Sequence, residues 1–355
     1  MAFVNLSDYE TQARRILDTR VLDYFDGGAN DEITLRENRT AFDRIPLHYR
    51  VLCGTDRRDM HTRVLGHELR MPTIAAPVAL LGMAHRDGEA AAARAATAVG
   101  SIFVLSTLST TPVEQVVDAA SGPVWFQLYV YKDRAASEAL VKRVEAAGCS
   151  ALELTVDAPV LGRRERDVRN AFAVPEGLWA PNLTADARRP ERQPGSALAA
   201  LFAEMMDPGL TWDDVAWLRS ITTLPILVKG IVRADDAERA TKVGVSGIVV
   251  SNHGGRQLDT APATIDVLES ITDAVGDRID VLVDGGIRRG TDVIKALALG
   301  ARAVQIGRPV LWGLATNGQK GVADVFNILQ QELDAAMALC GCRSLGEITR
   351  ELLSP

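Results

Sequence analysis

The sequence predicts a closed (β/α)8 barrel of the TIM type, with an N-terminal helical cap and a long loop after the fourth strand. Three observations lead there. Eight short apolar runs recur along the chain, and stretches with helical spacing separate most of them. Several of the helical stretches stop at a glycine (Gly100, Gly148, Gly244, Gly300), a common helix terminator. The apolar runs themselves end in polar and charged residues, which a core does not need and a site does.

The strand candidates are Thr73–Ala76, Ile102–Leu105, Val124–Leu128, Ala151–Val156, Ile226–Val228, Gly247–Val250, Asp280–Val283 and Ala303–Ile306. Helical spacing fills Gly88–Val99, Pro112–Ala120, Arg134–Ala147, Ala234–Val243, Thr264–Val275 and Gly290–Leu299. Residues 1–72 read as a cap, helical over Leu6–Leu17 and Val21–Asp26 and irregular afterwards. The barrel then occupies 73–320. Within it, Phe172–Thr211 is an irregular insertion rich in Pro, Arg, Ala and Gly, read either as a loop over the catalytic face or as a surface loop away from it. Residues 321–355 close the chain, with helical spacing over Val322–Leu339 packed outside the barrel. All 355 residues are expected to form a single domain.

Composition narrows the function. At 47% hydrophobic and 24% charged, the chain reads as an ordinary soluble globular protein. A net charge of −7 with no basic tract argues against nucleic-acid binding. No apolar run reaches the roughly 18 residues of a membrane span. The start, Met1 to Asp8, lacks the basic-then-apolar pattern of a secretory signal. Cys53, Cys149, Cys340 and Cys342 are too scattered for a disulfide framework or a paired zinc motif, so no metal site and a reduced, cytoplasmic setting are expected.

The most informative stretch runs Gly247-Ile-Val-Val-Ser251-Asn-His253-Gly-Gly-Arg256-Gln-Leu-Asp259. A buried strand stops at an imidazole and a guanidinium three residues apart. His can move a proton near neutral pH, and Arg can grip a carboxylate or phosphate with two hydrogen bonds. Strand seven runs into Asp284-Gly-Gly286-Ile-Arg288-Arg-Gly290, and strand eight into Gly307-Arg308-Pro309. Glycines let backbone N–H groups approach a phosphate, and these are the two strands where barrels prefer to hold one. The other strands end in Ser106-Thr-Leu108, Gln127-Leu-Tyr129, Thr155-Val-Asp157 and Lys229-Gly230. One barrel mouth thus gathers a base, a carboxylate and several cations, the set for an anionic substrate that loses a proton. Taken alone, Tyr24 would pass for a packing tyrosine, Asp157 for a turn residue, and Arg164 would be hard to tell from Arg163 and Arg166.

The Ser251–Asp259 and Asp284–Gly290 motifs together resemble the FMN-dependent L-2-hydroxy acid oxidases and dehydrogenases, a family that includes glycolate oxidase, lactate oxidase, mandelate dehydrogenase and hydroxymandelate oxidase. The likeness runs from Tyr24 through Cys342-Arg-Ser-Leu345. It implies FMN as cofactor and a role for each matching residue. His253 would be the base and Asp157 its partner. Arg164 and Arg256 would clamp the substrate carboxylate with help from Tyr24, and Tyr129 would sit near the reacting hydroxyl. Ala76, Pro77, Val78, Ala79, Ser106, Gln127, Thr155 and Ser251 would surround the flavin. Lys229 would lie at its N1/O2 edge, Asp284 on the ribityl hydroxyls, and Gly286, Arg288, Gly307 and Arg308 on the phosphate.

The resemblance also implies an L-2-hydroxy acid and O2 as small-molecule partners, and a homotetramer or higher homo-oligomer. Ala79 stands where the family's oxidases often carry Ala, which favours O2 as acceptor and H2O2 as product. Leu108 replaces the Trp of plant glycolate oxidases. With Val78 and Phe25 also departing from that pattern, a side chain larger than that of glycolate is expected. The alternatives are a dehydrogenase using another acceptor, an FMN barrel isomerase and a non-catalytic scaffold.

Overall fold

The computed structural model describes residues 3–183 and 196–353. Eight parallel strands close into a barrel: β1 (Thr73–Ala75), β2 (Phe103–Ser106), β3 (Val124–Leu128), β4 (Leu152–Thr155), β5 (Ile226–Ile231), β6 (Gly247–Val250), β7 (Asp280–Val283) and β8 (Ala303–Ile306). Each pairs with its neighbours in sequence, and β8 returns to β1 with Val304 opposite Thr73. All eight predicted strands are present, shifted by a residue or a few at their ends.

Alternation along the strands divides the core. One set of side chains faces the surrounding helices. The other fills the barrel with Ile74, Ile102, Val104, Trp125, Leu227, Val249 and Leu282. A hairpin, Thr62–Val64 with His67–Leu69, packs Val64 and Leu69 into this interior cluster. The N-terminal half of the barrel is therefore dry, which leaves polar chemistry to the opposite rim.

Most of the predicted helices form within a residue or two of their expected limits, including Arg134–Ala147, Ala234–Val243 and Thr264–Val275. Three elements correct the sequence reading. The stretch expected to be irregular in the cap contains a helix, Ile33–Asp43, whose buried residues are Thr34, Asn38, Ala41 and Phe42. That is helical spacing, but two of its positions are polar and escape a hydrophobic search. The irregular insertion contains a helix at Ala197–Met205, started by the Ser196 hydroxyl accepting from the Ala199 N–H. Directly after it comes Trp212–Ile221, opened by a reciprocal Thr211 and Asp214 cap. Residues 184–195 of the insertion lie outside the described residues. The last helix begins far earlier than Val322: it runs over Arg308–Cys340 with a kink at Asn317 and Gly318.

Candidate active site

The site is built where the strands stop. Their C-terminal ends surround a cleft. Ala76, Pro77, Val78 and Ala79 line it after β1, Ser106 and Leu108 after β2, and Gln127 and Tyr129 after β3. Thr155 and Arg164 contribute from the β4 side, Lys229 from β5, and His253 and Arg256 from β6. Asp284, Gly286 and Arg288 follow β7, Gly307 and Arg308 follow β8, and Tyr24 reaches in from the cap. Of the predicted site residues, only Asp157 and Ser251 stand behind the wall rather than on it.

Both act through a neighbour. His253 Nδ1 lies 2.9 Å from Asp157 Oδ1. An ionised carboxylate can only accept, so Nδ1 is the donor and Nε2 keeps its lone pair. Burial pulls the His253 pKa down, and the nearby Asp157 opposes this without reversing it. Burial pushes Asp157 up, but the charge and hydrogen bond of His253, with Lys229, hold its carboxyl below the usual range. At neutral pH the pair is a neutral imidazole backed by a carboxylate. Ser251 Oγ takes a hydrogen bond from Lys229 Nζ at 2.6 Å and another from the His253 N–H at 3.1 Å.

The backbone at His253 is left-handed, with φ at 58°. For a residue other than glycine this costs on the order of 1 kcal/mol and needs support. Asn252 supplies it through two side-chain hydrogen bonds with Asn38, each 2.8 Å, and one to the Pro262 carbonyl. The rest of the motif is also structural. Gln257 accepts from the Gly162 N–H and donates to the carbonyls of Asp157 and Val160. Asp259 receives the N–H groups of Asp31 and Thr34, joining the cap to the rim.

Two glycines make the close approaches possible. The β5 register shifts between Lys229 and Ile231, and Gly230 there has φ at 114°; a Cβ on it would lie 2.5 Å from the Asp157 Cβ. Gly286, at φ 83°, packs against helix Ile33–Asp43 so tightly that a Cβ would sit 1.7 Å from the Asn38 carbonyl oxygen.

The cations fall into two kinds. Lys229 is paired, its Nζ lying 2.7 Å from Asp284 Oδ2. Burial opposes its charge, but Asp284, Asp157 and Glu153 together raise its pKa. Arg164, Arg256, Arg288 and Arg308 have no carboxylate partner among the described residues. Arg256 donates to the Tyr24, Phe25 and Gly27 carbonyls and lies 5.2 Å above the Tyr24 ring. Arg308 donates to the Phe25 and Gly254 carbonyls. Arg288 stacks 4.6 Å over Trp312. Burial is the main force on all three, pulling Arg256 down to about 9 and Arg288 and Arg308 to about 10. Arg164 is 7% exposed and its Nε has no hydrogen-bond partner. Its neighbours are excluded from the role: Arg166 is held by Glu32 at 2.6 Å, and Arg163 points to solvent.

Buried guanidiniums without carboxylates carry a desolvation cost that a bound anion can offset. The four arginines fall into two pairs. Arg288 and Arg308 lie beside Gly286 and Gly307, a suitable cradle for phosphate. Arg164 and Arg256 flank Tyr24, itself stacked on Phe172 at 4.5 Å. Buried oxygens Asp284 Oδ1 and Gln305 Oε1 also lack partners. The residues therefore fit a phosphorylated flavin with polar edges and a ribityl chain. Among the described residues no cluster could hold a metal, and no helix is long and apolar enough to cross a membrane.

Several cleft residues escaped the sequence reading. Leu161 and Leu198 add apolar wall from the β4–β5 connection, and Gln305 forms part of the floor. Gln305 carried a legible signal, a polar residue inside an apolar strand. Leu198 did not, because its helix was read as irregular.

Known proteins agree with this geometry. The family model described as FMN-dependent dehydrogenase matches residues 13–355. The chain is 52% identical to an L-lactate oxidase of Nostoc sp., covering 99% of this chain and 98% of the relative. It is 50% identical to glycolate oxidase 3 of Arabidopsis thaliana, covering 99% and 95%. A crystal structure of mandelate oxidase with (S)-4-hydroxymandelic acid superposes with a TM-score of 0.95 at 44% identity, covering 98% of both chains. The chain belongs to the FMN-dependent dehydrogenase family, the family of these 2-hydroxy acid oxidases, and FMN is its cofactor.

Proposed function

We propose that the protein oxidises an L-2-hydroxy acid to the corresponding 2-oxo acid and passes the electrons to O2, releasing H2O2. The balance is one hydroxy acid and one O2 consumed for one oxo acid and one peroxide formed. One observation carries the reading: a neutral imidazole backed by a carboxylate faces the same cleft as two buried guanidiniums that have no carboxylate of their own. Bound FMN supplies the two-electron acceptor.

The remaining work falls to the chain. Arg164 and Arg256 bind the substrate carboxylate by charge-assisted hydrogen bonds, which fixes its α-carbon. Tyr24 adds a hydroxyl, held protonated because burial raises its pKa. His253 Nε2 takes the proton released from the substrate, and Asp157 stabilises the imidazolium that results. Burial likewise keeps the Tyr129 hydroxyl protonated, so it is a hydrogen-bond donor near the reacting oxygen. Lys229 offers positive charge at the flavin edge. Arg288 and Arg308, with the backbone at Gly286 and Gly307, hold the phosphate.

The substrate side chain meets Leu108, Leu161 and Leu198. This wall favours side chains larger than that of glycolate. The named relatives include lactate, glycolate and mandelate oxidases, so the pocket rather than the family chooses among them. The test is anaerobic flavin bleaching by a panel of L-2-hydroxy acids, followed by air and a peroxide assay. Bleaching, return of the yellow colour and one peroxide per turnover are expected. Bleaching with no return in air would instead favour another electron acceptor. A panel led by glycolate, far ahead of lactate, mandelate and 2-hydroxyoctanoate, would overturn the size preference.

A further inference from the structure

Among the buried acids that the mechanism does not use, one lies on a barrel strand. Glu153 sits in β4, wholly inaccessible, one alternation below Thr155. Across the barrel, Gln305 of β8 donates from Nε2 to Glu153 Oε2 at 2.6 Å, while Glu153 Oε1 has no partner. Gln305 itself lines the cleft. The pair is a polar bridge through an interior that is otherwise apolar, set directly below the flavin site.

The charged groups around it are few. From β5 comes the ammonium of Lys229, from beyond β7 the carboxylate of Asp284, and from beyond β4 that of Asp157. Elsewhere the same interior is lined by Ile74, Val104, Trp125, Leu227, Val249 and Leu282, which do not titrate. Lys229 is the only cation in this set, and Asp284 already binds it. A carboxylate at Glu153 therefore has one amide and a share of one ammonium to set against full desolvation.

We propose that Glu153 is a proton-holding positioning residue for the flavin site: it takes up a proton when negative charge arrives on the cleft side of Lys229, and releases it when that charge leaves. This rests on the reading that Lys229 meets the flavin edge. Burial first, partly offset by Lys229 and the Gln305 amide, pushes the Glu153 carboxyl up to about 7, so small changes in local charge move its proton at neutral pH. Charge added above Lys229 draws on the same ammonium that supports the Glu153 carboxylate. The carboxylate is then disfavoured and binds a proton from solvent. Reduction delivers two electrons and one proton to the flavin, and up to one further proton to Glu153; the only bond formed in the protein is that O–H. The effect would damp charge build-up in the floor during each turnover.

The test is the pH dependence of the midpoint potential of the bound flavin in holoenzyme, wild type against Glu153→Gln, between about pH 6 and 8 on either side of the value near 7. Wild type is expected to show the steeper slope, by up to twofold, because up to two protons rather than one accompany the two electrons. Parallel slopes would overturn the proposal. Reduced-minus-oxidised infrared spectra of wild type carrying labelled glutamate provide a second reading that needs no variant. A gain of protonated carboxyl signal on reduction supports the proposal; no gain overturns it. Chemical reductant drives both experiments, so they remain decisive even if no hydroxy acid reduces the flavin, the result that would sink the proposed function instead.

Discussion

The two ends of the barrel make opposite use of burial. At the N-terminal end Val64 and Leu69 of the hairpin meet Ile102, Trp125, Ala151 and Ala303, Asp280 Oδ2 accepts from the Leu65 N–H at 2.9 Å, and burial pulls the His67 imidazole down. At the C-terminal end Lys229, His253, Asp284 and four arginines line one cleft, with Asp157 behind His253. Apolar burial stabilises by about 25 cal/mol per Å², whereas each buried charge costs several kcal/mol unless paired. The dry end supplies stability that the loaded end consumes. The surface arginines sharpen the contrast. Arg134 is tied to Asp207 and Asp214, and Arg58 to Asp334, so their charges are answered within the chain. Arg164, Arg256, Arg288 and Arg308 have no such carboxylate among the described residues, and that difference marks the site.

Substitutions at the two ends should therefore break different things. The largest loss is expected from His253→Ala, which removes the proton acceptor: anaerobic bleaching should slow by roughly 10³–10⁴-fold while FMN stays bound. In wild type, kcat/KM should rise with pH and level off below the ordinary histidine value near 6.5, because the buried imidazole gives up its proton more readily. Asp157→Asn removes the group that opposes this effect, so the acid limb should move to still lower pH as the rate falls.

Arg256→Met should cost about 3 kcal/mol of kcat/KM, near a hundredfold, mostly as a higher KM. A variant with unchanged KM would remove Arg256 from carboxylate binding. Next in size, Arg308→Ala should weaken FMN about 10–100-fold in an equilibrium titration and shrink the rise in Tm that FMN produces. Riboflavin, lacking the phosphate, should be indifferent to that change. The smallest functional effect belongs to the dry end. Trp125→Phe should lower stability by about 1–3 kcal/mol in denaturant unfolding and leave kcat within about twofold. A large kcat loss there would erase the distinction between the two ends.

The barrel was legible because its strands are short apolar runs with helices between them, a pattern that survives without tertiary information. The rim was legible because chemistry there interrupts that pattern at a fixed place, the strand end. What escaped shares one cause: position that only packing decides. Helix Ile33–Asp43 buries Thr34 and Asn38, whose polarity conceals its inner face. Leu198 and Phe202 reach the site from a helix inside a composition that reads as loop, and Phe202 meets Tyr129 edge-on at 5.0 Å. Asp157 and Ser251 could be assigned to the site but not to its back layer, since side-chain direction beyond a strand end follows no simple alternation. Arg164 could be separated from Arg166 only by seeing that Glu32 and Asp23 occupy Arg166, and from Arg163 only by its burial.

The central claim is that His253, Arg164 and Arg256 act on one small anion beside the flavin. Anaerobic rapid mixing of the FMN-loaded protein with L- and D-2-hydroxy acids tests it most directly. The L-acid should bleach wild type rapidly, the D-acid should not, and His253→Ala should bleach thousands of times more slowly. Equal bleaching by the two acids, or by wild type and His253→Ala, would contradict it.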